Sequence, residues 1–142
     1  LFVAARVATR LKLAALLHDA AEAYLGDMGK PPKALFPEFS RLEESVTALI
    51  GERFGVVGVD APAIKRADLI ALATEKRDLM PHSSEPWAAL AGVTAVPARI
   101  VPMGPQEAKA AFLERFHELG GTSRAGAPTS PAPRREMAQN FV

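Results

Sequence analysis

The amino-acid sequence predicts an all-helical domain, and three observations carry that expectation. From Leu1 to Tyr24, the residues Val3, Val7, Leu11, Ala14, Ala15 and Leu17 recur at helical spacing, with no Pro or Gly among them. Two further apolar-periodic stretches, Glu38–Arg53 and Ala63–Met80, are bounded by Pro and Gly. No run of alternating apolar and polar residues is long enough to build a sheet.

Each element follows from its own punctuation. The first helix is expected to run from Leu1 to Tyr24. Leu25 to Pro32 then crowds Gly26, Gly29, Pro31 and Pro32 into a loop. A second helix is expected over Glu38–Arg53, with Leu42, Val46, Leu49 and Ile50 on one face and Gly55 as its stop. The third covers Ala63–Met80, burying Ile64, Ala67, Ile70, Ala71 and Ala73, and Pro81 ends it. Pro81–Gly104 carries the β-branched Val93, Thr94, Val96, Ile100 and Val101 among prolines, which predicts an irregular passage with a helical turn around Trp87–Leu90. Pro105–Leu119 closes the domain, with Pro in its first turn and Gly120-Gly121 beyond its end. Residues 1–121 thus form one domain, and 122–142, rich in Gly, Ala, Pro, Ser and Thr, form a flexible tail.

Composition narrows the function classes. A chain of 142 residues with 49% hydrophobic and 23% charged residues suits one globular domain rather than a disordered or fibrous one. The net charge of +1 makes no electrostatic case for duplex nucleic acid or an anionic membrane as partner. Charged residues interrupt every apolar run, so no membrane span is expected. The absence of cysteine removes disulfides, thiolate ligands and a thiol nucleophile, and fits a cytoplasmic location. Arg6, Arg10 and Lys12 precede His18-Asp19 where a secretory signal would place small residues, so no targeting segment is expected.

The stretch that carries chemistry is Leu16-Leu17-His18-Asp19-Ala20-Ala21-Glu22-Ala23-Tyr24-Leu25-Gly26-Asp27. It sets four ionisable side chains at the end of an apolar helix. On a continuous helix, His18 and Glu22 stand four apart and Asp19 and Glu22 three apart, so these groups share a patch that a divalent cation would neutralise. Imidazole nitrogen with carboxylate oxygen suits Mn, Fe, Co, Ni or Zn better than Ca. Another helix must complete the ligand set, and Asp68 is the best candidate, since apolar neighbours at Leu69, Ile70 and Leu72 turn its helix toward an interface. Lys65, one turn earlier, would bring a cation beside the metal to hold a phosphate oxygen.

These residues resemble the HD-domain superfamily of metal-dependent phosphohydrolases. His18-Asp19 matches its doublet, and His-Asp-Ala-Ala-Glu-Ala-Tyr-Leu-Gly-Asp, followed by Pro and Lys, is similar to the 5'-deoxynucleotidase branch and its phage deoxynucleotide triphosphohydrolase relatives. Lys65-Arg66-Ala67-Asp68, Thr74-Glu75 and Arg77-Asp78-Leu79 match the later segment, so the resemblance spans Leu1 to Leu119. It implies a helical bundle around a divalent metal held by His18, Asp19 and Asp68. It implies acid/base work by Glu22, a second active-site carboxylate at Asp27, and phosphate contacts from Lys33 and Lys65. The expected activity is hydrolysis of a deoxynucleotide, first as a 5'-deoxynucleotidase, with triphosphohydrolase activity or a catalytically degenerate nucleotide-binding protein as alternatives. A nucleotide is the expected partner, with a homo-oligomer left open. The family pattern also has a metal-binding His farther upstream than the seventeen residues before His18, and none of those is His. The chain lacks an initiator Met, so loss of an N-terminal helix is the expected reason, and degeneration the alternative.

The remaining candidates take structural readings. His82 and His117 suit exposed imidazoles, Glu75 and Asp78 suit ion pairing with Lys76, Arg77 or another helix, and Trp87 suits packing or a subunit contact.

Overall fold

The structure, a computed structural model, describes residues 1–83 and 85–122, apart from the side chains of Lys30 and Pro31. The expected flexible tail lies outside the described residues from 123 onward. Every regular element among the described residues is helical, so the fold is all-α. No helix among them is long and apolar enough to cross a membrane.

The expected continuous helix over Leu1–Tyr24 is broken. Short 3-10 turns at Ala4–Arg6 and Thr9–Leu11 lead into α1 (Lys12–Leu16), and α2 (Glu22–Leu25) follows only after a turn. Extended backbone at Val7 (φ −118°, ψ 162°) and Ala8 (φ −58°, ψ 150°) interrupts the first half. Leu17 (φ −104°, ψ 8°) ends α1. Tertiary burial is the reason. Val3 and Ala4 share one core with four consecutive buried residues, Ala14, Ala15, Leu16 and Leu17. One straight helix would display four consecutive residues all around its circumference and carry Val3 well over 10 Å along the axis from Ala14, at about 1.5 Å per residue. Folding the segment back on itself buries both sets, and that gain overrides local helix propensity.

Within the expected loop, α3 (Lys30–Lys33) forms a single turn, with the Lys33 N–H donating to the Gly29 carbonyl at 3.1 Å. The long helix α4 spans Pro37–Phe54, one residue beyond expectation at either end. It ends as the sequence predicts. Gly55 takes the left-handed conformation (φ 67°), its N–H reaches Glu52 O at 3.3 Å, and Val56 N–H reaches Gly51 O at 2.8 Å, closing a Schellman motif. This closure brings the Val56 carbonyl within 2.8 Å of where a Cβ on Gly51 would lie, which explains a glycine inside a helix.

The expected buried face of α4 is not buried. Leu42 and Leu49 are exposed, Leu49 at 64%, and Val46 and Ile50 are only half-buried. No residue of α4 is fully buried, and its side bearing Glu43, Thr47, Ala48 and Gly51 lines a cleft.

Helix α5 (Pro62–Asp78) buries Ile64, Ala67 and Ala71 in the core shared with the N-terminal segment and Thr74 beside the irregular passage, whereas Ile70 and Ala73, expected to be buried, are only half-buried. It stops two residues short of the expected end, at Asp78, whose carboxylate is fully engaged. Its Oδ1 accepts from Arg77 Nε and Arg99 Nη1, each at 2.6 Å, and its Oδ2 from Arg77 Nη2 at 2.6 Å and Ile100 N at 3.0 Å. Arg77 also donates to the carbonyls of Val96 and Ala98. Buried Thr74 donates to Ile70 O at 2.6 Å and accepts from Val96 N at 3.2 Å. The irregular passage is thereby tied to the end of α5, and its one helical turn falls at Ala88–Leu90, inside the expected place. Helix α6 (Pro105–Glu118) packs Phe112 and Phe116 on the core, with Phe116 edge-on to Phe54 at 5.5 Å.

Candidate metal centre

The turn between α1 and α2 holds the doublet. Because α1 ends at Leu17, His18 and Asp19 leave the helix and face the second turn of α5, which supplies Asp68. One donor atom from each residue lies within 4.8 Å of the others. His18 Nε2 is 3.1 Å from Asp19 Oδ2 and 3.5 Å from Asp68 Oδ1. Neither contact has hydrogen-bond geometry, and Nε2 is a buried side-chain atom with no hydrogen-bond partner. A polar nitrogen buried without a partner is costly, and two carboxylates aimed at it make a donor set that a cation satisfies. The imidazole is mostly enclosed at 18% exposure, while both carboxylates are about half exposed toward the cleft. The residues present therefore fit a divalent metal.

This triad opens on a cleft of about 1030 Å³ between α4, α5 and the Gly55–Asp60 connection. Glu22, Lys33 and Lys65 line it together with the triad, so the fold brings these sequence-predicted residues to one cavity. Asp27 is exposed and lies outside that lining, acting on the site through its charge.

Burial raises the Glu22 carboxyl above its ordinary range, with the charges of Asp19, Asp27 and Glu43 adding to the effect and Lys33 opposing it. Burial likewise raises Asp19, opposed by His18 and reinforced by Asp68, Asp27 and Glu43. Burial is the larger cause of both shifts, and the neighbouring carboxylates that add to it favour a cation here.

Sequence reasoning missed Glu43. Its two carboxylate oxygens each accept from Lys33 Nζ at 2.7 Å, and both side chains are 25% exposed. Glu44, Glu52 and Asp60 also line the cleft. The available signal was the row of acidic and small residues Glu43, Glu44, Thr47, Ala48, Gly51 and Glu52 along one side of α4. His82 and His117 are exposed, as expected of structural imidazoles, and Trp87 carries Lys76 Nζ 4.6 Å from its ring centroid.

The chain is similar to YfdR of Escherichia coli strain K12. The two are 42% identical over 106 residues, which cover 74% of this chain and 60% of YfdR, a protein described as uncharacterized. An uncharacterized protein of Rhodobacter capsulatus is 36% identical over 124 residues, covering 80% of this chain and 62% of that protein. The chain thus spans about three fifths of the length of the curated relatives it matches. No protein-family model and no solved structure matches it.

Proposed function

We propose that the chain carries the metal centre of an HD-type phosphohydrolase acting on deoxynucleotides, as a 5'-deoxynucleotidase. One observation carries this reading: His18 Nε2, buried and without a hydrogen-bond partner, lies between the carboxylates of Asp19 and Asp68 at the wall of a cleft. His18, Asp19 and Asp68 would hold a divalent transition metal. Such an ion, when bound, polarises a phosphoryl oxygen and lowers the pKa of water.

The chain's own residues supply the rest. Glu22 lines the same cleft with its carboxyl pushed upward, which suits proton exchange nearer neutrality. As the water oxygen bonds to phosphorus, Glu22 takes its proton. The bond from phosphorus to the sugar 5' oxygen breaks, and that proton goes to the leaving oxygen, giving nucleoside and phosphate. Lys33 and Lys65 stand along the cleft to hold phosphate oxygens.

Charge favours a monophosphate. Glu22, Glu43, Glu44, Glu52 and Asp60 line the cleft along with the triad, against Lys33 and Lys65. A triphosphate brings more negative charge into that field than a monophosphate does, and gains few cations to offset it.

The test is metal analysis of the purified protein together with chromatography of its products from several deoxynucleotides. A bound divalent metal, with nucleoside and phosphate released from a monophosphate, is expected. Tripolyphosphate released from a triphosphate would move the reading to a triphosphohydrolase. A protein with neither metal nor turnover overturns the enzyme reading and leaves a nucleotide-binding protein.

A further inference from the structure

Lys33 reaches the cleft wall from a single-turn helix, and a four-carbon stem on so short an element is poorly anchored by its backbone. Its ammonium is held from α4. Glu43, in the first half of the long helix α4, accepts from Lys33 Nζ through both oxygens at 2.7 Å. An ammonium has three N–H donors. Two go to Glu43, and the third makes no hydrogen bond among the described residues. Its nearest aromatic neighbour, Phe39, has its ring centroid 5.7 Å from Nζ, at the edge of cation–π range. Both partners line the same cleft as His18, Asp19 and Asp68.

We propose that Glu43 is a positioning residue, which fixes Lys33 so that its remaining N–H is presented to an anionic oxygen bound in the cleft beside the triad. The inference rests on the reading that this cleft takes a phosphate. Glu43 acts only through Lys33. Without the carboxylate, the ammonium is free to turn toward the other acids of the cleft, and ordering it falls to the ligand.

A binding cycle tests this without relying on turnover. The affinity of the manganese-loaded full chain for inorganic phosphate is measured by calorimetry for the native protein, Glu43→Gln, Lys33→Met and the double variant. Glu43→Gln is expected to weaken phosphate binding about tenfold, the scale of one charge-assisted hydrogen bond. Lys33→Met should weaken it at least as much. The double variant should match Lys33→Met within about twofold, because the two residues act as one unit. In steady-state assays the Glu43→Gln loss should fall on KM, with kcat held.

Unchanged or tighter phosphate binding in Glu43→Gln overturns the proposal, since Glu43 would then be idle or a competitor for Lys33. Additive losses in the double variant also overturn it. If Glu43→Gln does not fold, Lys33→Met decides: unchanged phosphate affinity there removes Lys33 as a contact and the proposal with it. A native chain that binds phosphate through this pair but hydrolyses no nucleotide refutes only the hydrolase reading. A native chain that holds metal but binds no phosphate refutes the positioning role.

Discussion

His18 Nε2 stands 3.5 Å from Asp68 Oδ1, so a turn near the N-terminus and the second turn of α5 meet at one point. Asp68 is thus the triad's one donor from outside that turn, whereas Glu22 lines the cleft without joining the triad. Different roles predict different losses. Asp68→Ala should abolish metal retention, measured by plasma mass spectrometry after gel filtration. Glu22→Ala should keep the metal and lose turnover by about two to four orders of magnitude, the usual worth of a general acid or base. Equal metal loss in both variants would contradict the assignment.

Protons should compete with the metal. The Asp19 carboxyl is raised by burial and by neighbouring carboxylates, so it takes up a proton at higher pH than an ordinary aspartate. Metal affinity should therefore begin to fall above the usual aspartate range as the solution is acidified. A titration of metal binding against pH in which the native protein and Asp19→Asn lose metal along the same profile would argue against Asp19 as a ligand, since proton competition at the remaining ligands acts on both.

Asp78 predicts the opposite sign, and through stability. The bidentate Arg77, then the Ile100 N–H and Arg99, hold its carboxyl well below the usual range, and the side chain is only 3% exposed. Its folded-state pKa lies below its unfolded-state value. The stabilisation is therefore fully present above the unfolded-state value of about 3.9 and is lost as pH falls toward the folded-state value. Asp78→Asn should lower Tm at pH 7 and lower it progressively less as pH drops below about 4. A Tm deficit independent of pH would show that the carboxylate charge is not what ties the irregular passage to α5.

Thr74→Val keeps the shape of a fully buried side chain but removes its hydroxyl. Val96 N loses its acceptor and the Ile70 carbonyl loses a donor. Chemical denaturation should show a loss of about 1 to 3 kcal/mol, the cost of leaving a buried polar group unpaired. A neutral substitution would mean that water reaches these groups.

Gly51→Ala tests the end of α4. The new methyl would meet the Val56 carbonyl, a backbone atom that cannot swing aside. Overpacking of this kind costs about 1 to 3 kcal/mol, more than the helix propensity gained from alanine. An increase in Tm would show that the Gly55–Val56 turn moves freely.

Much of this protein was legible without its fold. Gly55 at the end of α4, Pro62 at the start of α5, and Pro105 and Gly120 around α6 act within a few residues of themselves, so they read directly from the chain. His18-Asp19 and Asp68 stood out for a local reason too, as ionisable groups set among apolar neighbours. Packing decided what local rules do not reach. Val3 and Ala4 had to share a core with Ala14 to Leu17, and that requirement broke the expected first helix. The same break turned His18 and Asp19 out of the helix toward Asp68. Helix α4 carries both an apolar and an acidic side, and its amphipathic pattern pointed to the apolar one as the buried face. The fold set Glu43 on the cleft and left Leu49 exposed. Asp78 with Arg99, and Lys33 with Glu43, are pairs separated by 21 and 10 residues. A charge in a sequence does not reveal a partner that far along the chain. The partner is chosen when the elements close on one another and burial leaves each charge only the neighbours it has.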